Sequence, residues 1–193
     1  MKVTQLLAGI VLLAVMVPTW GAELQIADVT VVRPGSGSVT AWADVVLDPT
    51  PNASQIVASY NLPILLPGSP TGLTLLPSNS FTVFGGANFS AIPDPLNQAD
   101  LVYNDDGADQ TIDASQMRLL SFNFQVDSTA SLGLHTAQIL SSSPFFNVSD
   151  GQASTISFSS VSDGTIRIVP EPSAVILLMV GSGCIMSRRR AAA

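Results

Sequence analysis

Apolar and polar residues alternate along much of the chain between residues 23 and 168, and no long stretch repeats its apolar residues with the helical period of about 3.6. The clearest example is RLLSFNFQVD, in which Leu120, Phe122, Phe124 and Val126 share one side and polar residues occupy the other. A strand with this pattern buries one face and leaves the other in solvent. The pattern therefore predicts a half-buried strand of an antiparallel sheet.

The same alternation predicts further strands on both sides of this segment. The apolar residues that share a face are Val39, Ala41, Ala43, Val45 and Leu47 in VTAWADVVLD; Ile56, Ala58, Tyr60, Leu62 and Ile64 in QIVASYNLPI; Ile156 and Phe158 in TISFSS; and Ile166 and Ile168 in GTIRI. Short apolar segments add the candidates Leu24–Val32, Leu73–Leu76, Ser80–Phe84, Leu101–Tyr103 and Leu134–Leu140.

Turn-forming sequences separate these segments and limit their length. Glycine, proline and aspartate cluster in PGSGS, DPTPN, LPGSPTG, IPDPLN and NDDGAD, and such clusters mark loops and interrupt helices. About eight to ten short strands with frequent turns are typical of an antiparallel β-sandwich, here of the jelly-roll kind. We therefore predict an all-β fold with one domain over residues 23–168, called the body below.

The N-terminal segment MKVTQLLAGIVLLAVMVPTWGAE has the features of an export signal. Lys2 provides a positive start, and the apolar run from Leu6 to Val17 is shorter than an ordinary transmembrane helix. Pro18 ends the run, and small residues follow at which a signal peptidase would cut, after Gly21 or Ala22. We expect residues 1–22 to be a signal peptide; an uncleaved N-terminal anchor is the alternative.

The C-terminal segment VPEPSAVILLMVGSGCIMSRRR combines a proline-flanked start, an apolar run and a basic end. As a helix, the run from Ser173 to Met186 would span about 20 Å, less than the roughly 30 Å hydrocarbon core of a bilayer. Arg188, Arg189 and Arg190 can extend to the headgroups and favour the cytoplasmic side. The segment therefore predicts a short transmembrane helix with the body on the outer side of the membrane.

This order of features resembles the PEP-CTERM sorting domain of bacterial exported proteins. The resemblance covers Val169 to Arg190 and rests on Pro170, Glu171 and Pro172, the apolar run, and the arginines Arg188, Arg189 and Arg190. We expect residues 169–193 to be a sorting and anchor segment. It implies recognition by an exosortase-type membrane protease that cuts near the Pro-Glu-Pro motif. It also implies export, a transient or permanent membrane anchor, and a final place at the cell surface or in an extracellular matrix with polysaccharide.

Three segments of the body resemble the cohesin and carbohydrate-binding-module superfamily of β-sandwiches. They are GSVTAWADVVLDPTPNASQIVASYNLPI, LLSFNFQVDSTASLGLHTAQI and DGTIRI, together about one third of the chain. The resemblance implies a jelly-roll sandwich but indicates no binding residues, and residues 65–115 match no part of it.

Charge and cysteine content exclude several classes of function. The chain has a net charge of −7, and between residues 23 and 168 only Arg33, Arg118 and Arg167 oppose thirteen carboxylates. Nucleic acid is not an expected partner, because phosphate binding needs a basic surface. Cys184, the one cysteine, lies in the C-terminal apolar run, so the body has neither disulfides nor a cysteine-based zinc site.

Few side chains of the body are candidates for chemistry. His135 is the single histidine, and no G-x-S-x-G nucleophile motif accompanies it, so we expect an ordinary strand or turn residue. The acidic loop contains Asp105, Asp106 and Asp109, which are weak candidates for Ca²⁺ because their spacing differs from a calcium-binding loop. A solvated turn is the simpler interpretation. No cofactor is expected.

Trp42 stands out because it shares a strand face with polar residues. Thr40 and Asp44 lie on the same side of the predicted strand, and an aromatic ring on a polar face can stack on a sugar. Cover by a loop or by other parts of the sandwich is the alternative.

These observations predict a non-catalytic exported protein of the cell envelope or of a biofilm or polysaccharide matrix. The alternative is a carbohydrate-binding or cohesin-like adhesion module, which needs an exposed aromatic side chain or a polar groove. A small jelly-roll hydrolase is the third hypothesis, and it needs two carboxylates that converge in a cleft.

Overall fold

The alternating segments form the strands of a sandwich in the computed structural model, which describes residues 21–49, 52, 54–66, 72–82, 89–94, 97–104, 109–152 and 154–172. Residues 1–20 of the predicted signal peptide and the predicted membrane helix from residue 173 lie outside the described residues. Ala22, the last residue of the predicted signal peptide, is described and begins the first strand. Within those ranges, no helix is both long and apolar enough to cross a membrane.

The strands in the described part of the chain are Ala22–Ile26 (β1), Val29–Val32 (β2), Ser38–Asp48 (β3), Ser54–Val57 (β4), Ser59–Leu65 (β5), Leu73–Thr82 (β6), Phe89–Asp94 (β7), Gln98–Asn104 (β8), Gln110–Asp113 (β9), Arg118–Asp127 (β10), Gly133–Ile139 (β11), Asn147–Ser149 (β12), Phe158–Ser162 (β13) and Gly164–Val169 (β14).

Two sheets hold most of these strands. The five-stranded sheet has the order β13-β1-β3-β10-β6, and the seven-stranded sheet has the order β2-β14-β11-β5-β8-β7, with β12 also pairing with β5. Strands β4 and β9 form a small third sheet. Pairing is antiparallel except in β1–β13 and β2–β14, which are parallel. The predicted all-β sandwich is therefore confirmed, with parallel pairs where the first strands meet the last.

The core lies between the two large sheets, and β10 supplies much of it. Leu120, Phe122, Phe124 and Val126 are completely buried, as their alternation predicts. The Phe122 and Phe124 ring centroids are 6.3 Å apart. Neighbouring strands contribute a second set of buried side chains: Ala43, Val45, Leu47, Tyr60, Leu62 and Ile64.

The segment Leu24–Val32, expected as one strand, crosses between the sheets. Its first half, β1, pairs with β3 in one sheet, and its second half, β2, pairs with β14 in the other. At the crossing, the Ala27 N–H donates to the Asp44 carbonyl at 2.8 Å. The chain crosses back between the sheets at the same level, from β13 in the five-stranded sheet to β14 in the seven-stranded sheet. At the start of β14, a Cβ on Gly164 would lie 2.4 Å from Cγ2 of Ile26. Glycine is therefore required for the two crossings to pack together.

Two other strand predictions are wrong in detail. QIVASYNLPI forms two strands, because the chain bends at Ala58, whose N–H donates to the Ser149 carbonyl at 2.9 Å. The alternation shifts by one residue at this bend, so Val57 is buried and Ile56 is 44% exposed. The segments Leu73–Leu76 and Ser80–Phe84 begin and end a single irregular strand, β6, whose described part ends at Thr82.

Candidate interaction surfaces

His135 has a structural place in the sheet. It lies in β11 opposite Ile166, and its Nε2 atom is 2.9 Å from the carbonyl oxygen of Ser131. This agrees with the expected strand residue. Across the described ranges, no group of three or more histidine, cysteine or acidic residues is arranged to hold a metal ion.

The acidic loop is only partly described: Asp105 and Asp106 lie outside the described residues, while Asp109 is inside them. Asp109 packs so closely on Gly151 that a Cβ there would clash with its carboxylate, and together with Asp150 it borders a groove of about 400 Å³. Asp150 is already engaged, because its Oδ1 accepts from the N–H groups of Gln152 and Ser154, both at 2.9 Å. The sequence analysis missed this juxtaposition, because 41 residues separate the two aspartates.

The pKa values of three side chains are shifted from their ordinary values, two of them by hydrogen bonds within turns. Hydrogen bonds from the Ser115 hydroxyl and N–H hold the pKa of Asp113 below its ordinary value. Equivalent bonds from Thr129 lower the pKa of Asp127. Burial raises the pKa of Tyr60, whose ring lies 5.5 Å from that of Tyr103 in the core. These three shifts have structural causes and identify no acid–base pair.

Trp42 is 59% exposed, so no loop covers it. It lies opposite Asn123 of β10, and the Ser121 hydroxyl next along that face donates to the Asp44 carboxylate. Stacking of a sugar on Trp42 stays a prediction.

Beside Trp42, a groove of about 390 Å³ runs between β2 and β3. Residues Val29–Val32 and Val39–Trp42 line it, and we call this surface the Trp42 corner. The groove exists because β1 leaves the five-stranded sheet at Ala27. From there the first half of β3 pairs only with β10. The corner combines an open strand edge with apolar side chains.

A second candidate surface is the outer face of the seven-stranded sheet over β5, β8 and β7, called the Ile92 face. The strand register places Asn61 beside Val102 and Ser90 in one row, and Pro63 beside Asp100 and Ile92 in the next. Ile92 is 56% exposed on β7, an edge strand. The face therefore presents the exposed Ile92 side chain beside Asp100.

The Ile92 face also carries two acceptor atoms that lack donors. Asn61 Oδ1 and Asp100 Oδ1 are buried, and neither has a hydrogen-bond partner within the described residues. Buried polar atoms are normally paired, and leaving one unpaired costs about 1–3 kcal/mol. Both oxygens are shielded from solvent, so they are not open to a donor from outside the chain.

The Pro-Glu-Pro motif lies at one end of the sandwich. The Arg33 N–H donates to the Val169 carbonyl at 2.8 Å, which holds the end of β14 against β2. Pro170, Glu171 and Pro172 follow and are all exposed, with the Glu171 carboxylate resting against Gly35. The motif is thus accessible, while β14 before it is paired on both sides.

No family model matches the chain, and no curated protein matches it. Solved cohesin structures do match. The seventh ScaB type I cohesin of Pseudobacteroides cellulosolvens has 14% identity, a TM-score of 0.56, and coverage of 78% of this chain and 94% of its own. The cohesin CaCohA2 of Clostridium acetobutylicum has 17% identity, a TM-score of 0.57, and coverage of 78% and 92%.

A third match is the OlpA cohesin of Clostridium thermocellum, solved in a type I cohesin–dockerin complex. It has 13% identity, a TM-score of 0.56, and coverage of 77% of this chain and 99% of its own. At such identities the likeness shows the fold alone. The body of this chain is a cohesin-like β-sandwich.

Proposed function

We propose that this chain is an exported, non-catalytic adhesion module that binds a protein partner through its cohesin-like body. The observation that carries the proposal is the match to nearly whole cohesins, one of them in complex with a dockerin. Cohesin in that complex acts as a binding module for another protein. The all-β body of this chain offers the same kind of rigid sheet faces.

The Ile92 face is the surface that best suits such a partner. Its exposed apolar side chain, Ile92, can be buried on binding. Interface centres are depleted in charge and enriched in apolar and aromatic groups. We therefore expect a partner surface with apolar side chains.

The C-terminal segment gives this module its location. We propose that residues 173–193 anchor the exported body in the membrane and that an exosortase-type protease later removes them near Pro170–Pro172. Exposure of the motif supports protease access. Proline at position 172 disfavours helix at Glu171, so a helix that begins at Pro172 does not continue back into the motif. Release then places the body at the cell surface or in a polysaccharide matrix.

Intact-mass measurement of the protein from its native host tests the anchor. The mature species should lack the residues that follow the Pro-Glu-Pro motif. A mature species that still carries Ser173 to Ala193 would mean a permanent anchor. Replacing Arg188, Arg189 and Arg190 with serine should let uncut precursor pass through the membrane, because the positive charges stop transfer.

Partner binding is tested by capture from the exported fraction of the native host, with cross-linking and mass spectrometry. The full chain is compared with Ile92→Asp and with Ile56→Asp, a matched control on β4, outside the Ile92 face. A true partner should be retained by the wild type and the control. It should be lost about tenfold or more with Ile92→Asp, equivalent to about 1.4 kcal/mol.

Two outcomes oppose the proposal. Equal capture by the wild type and Ile92→Asp would show that the Ile92 face does not bind the partner. A glycan array probed with the wild type and Trp42→Ala tests the carbohydrate alternative. Strong, Trp42-dependent glycan binding without any protein partner would favour that alternative instead.

A further inference from the structure

Two hydrophobic side chains of β3 are exposed although they point to opposite sides of the five-stranded sheet. Val39 shares its side of the strand with Val45, which is completely buried in the core, yet Val39 is 36% exposed. Trp42 points to the outer side and is 59% exposed. Because no single sheet face contains both side chains, their common feature is the edge of the strand, where a neighbouring strand would cover both sides.

The edge of β3 is open along its first half. The Asp44 carbonyl accepts the Ala27 N–H at 2.8 Å, so Asp44 directs its backbone groups toward β1. Backbone direction alternates along a strand, and Thr40 and Trp42 therefore point their N–H and C=O groups the same way. β1 has left the sheet at that level, and no strand in the described part of the chain pairs with β3 there.

The edge of β2 is open in the same way and lies across the groove. The Arg33 N–H donates to the Val169 carbonyl at 2.8 Å, which directs the backbone of Arg33 toward β14. Thr30 and Val32 consequently direct their backbone groups away from β14, and β2 is the last strand of its sheet. Backbone donors and acceptors of two strands thus border the groove of the Trp42 corner.

The groove has the width and the lining of a position for one more strand. Packed sheets lie about 10 Å apart and paired strands about 4.8 Å apart, so a strand between the two edges can reach both. The floor is apolar and consists of Val29, Val31, Val39 and Ala41, and the described residues that line the groove carry no charge. The β1–β2 crossing and the loop from β2 to β3 close its ends, which leaves room for about four to five extended residues.

We propose that the Trp42 corner binds a short extended segment of another protein, which adds a strand between β3 and β2. Only an extended backbone matches donors and acceptors that recur at every second residue along two strands. A charged segment would lose its hydration here without gaining a partner, so the segment is uncharged, with apolar residues at alternate positions. This site is separate from the Ile92 face, because β2 and β7 are opposite edges of the seven-stranded sheet.

The sequence of β3 lacks the features that normally prevent pairing at an open edge. Natural edge strands carry lysine, proline or an inward-pointing charge, whereas residues 38–43 (SVTAWA) have none of these and include strand-forming valine, threonine and tryptophan. A second copy of this chain is a poorer occupant, because its open edges are recessed between the same crossing and the same loop. A flexible segment of another protein can enter the groove from the side.

Amide hydrogen exchange of the full chain in detergent micelles, followed by NMR, tests the open edge. Without a partner, the Thr40 and Trp42 amides should exchange at least roughly tenfold faster than the amide of Ala41, which bonds to β10. Slow exchange of Thr40 and Trp42 at every protein concentration would mean that the chain fills its own groove, and the proposal would fail. Exchange that slows as the protein concentration rises would replace the proposed partner with a second copy.

The probe for binding is the blocked peptide acetyl-Thr-Val-Thr-Val-Thr-amide, which is uncharged and strand-forming. An excess of this peptide should slow exchange of the Thr40 and Trp42 amides at least roughly tenfold. The same peptide with N-methyl groups on its three central residues keeps its side chains but loses those backbone donors, and it should bind at least roughly tenfold more weakly. Unchanged exchange with the first peptide, or equal binding of the methylated one, would overturn the proposal.

Two variants locate the binding site. Thr40→Pro removes a donor from the open edge and places a ring in the groove, while the bonds from β3 to β10 remain. It should weaken peptide binding at least roughly tenfold. Ala41→Leu fills the floor of the groove and gives the same test if Thr40→Pro does not fold. Ile56→Asp, on β4, is the control and should bind like the wild type; wild-type binding by a folded groove variant would place the peptide elsewhere and refute the assignment.

Discussion

Removal of the Phe122 ring tests the centre of the sandwich. Phe122 is completely buried on β10, which lies between β3 and β6, and its ring packs near that of Phe124. Phe122→Ala loses about 1.5–3 kcal/mol of favourable transfer from water. The unfilled space costs about 2 kcal/mol more if roughly 100 Å³ stays open, so we expect a total loss of about 3–5 kcal/mol.

Urea denaturation followed by circular dichroism measures this loss as a lower transition midpoint with an unchanged slope. For a domain of this size, the melting temperature should fall by about 6–20 °C. Gln125→Ala, on the outward side of the same strand, should change stability by less than about 0.5 kcal/mol. Equal midpoints for Phe122→Ala and the wild type would refute both the burial and the predicted strand.

Three other outcomes can be measured on the same protein. Gly72→Ala should cost about 2–3 kcal/mol, because Gly72 has a φ of 79° and a Cβ would strike the turn after β10. Gly37→Ala, at a φ of 68° in open space, should cost only about 1 kcal/mol. Hydrogen bonds from the neighbouring threonine depress the pKa of Asp127 below 3.8. The ionised carboxylate therefore stabilises the fold above the ordinary pKa, and this stability is lost as the pH falls through the lowered value. Asp127→Asn should flatten that acid limb, and an NMR titration giving a pKa of 3.8 or above would contradict the assignment. Calcium should leave the melting temperature almost unchanged, because the Asp105–Asp113 loop lacks the ligand spacing of a calcium site; submicromolar affinity in calorimetry would disprove this.

Alternation predicted most of the centre of the fold, although Leu119 and Ser121, on the side of β10 expected to face solvent, are also completely buried. Phe122 and Phe124 are buried because the period of a strand is two, so their side of β10 faces the core along its whole length. The same rule succeeds for Val45 and Leu47 in β3. The burial of such residues follows from the alternation within one segment, so the sequence of that segment is enough to predict it.

Long-range crossings could not be predicted in the same way. Nothing in Leu24–Val32 distinguishes one strand from two that join different sheets, because the crossing depends on β3 and β14 as partners. Ile56 was assigned to the wrong face for a related reason. The bend at Ala58 is held by Ser149, which is distant in sequence, and it shifts the alternation by one residue.

The candidate surfaces were only partly visible in the sequence. The polar neighbours of Trp42 indicated an outward side chain, but its exposure depends on where β1 leaves the sheet. The Ile92 face comes from residues 65–115 in part, a region without a recognised pattern. Asn61 and Asp100, whose Oδ1 atoms have no partner among the described residues, become neighbours only through the pairing of β5 with β8.

The position of β14 determines how this protein would respond to tension. Force on the tail acts along β14, which lies between β2 on one side and β11 on the other. Hydrogen bonds along both neighbours, from Gly164 to Val169, must therefore slide together rather than open one after another. A body pulled between a membrane anchor and a bound partner is stretched in shear, the geometry that best delays rupture. Strand order thus suits the body to resist a pull between the proposed anchor and the proposed partner.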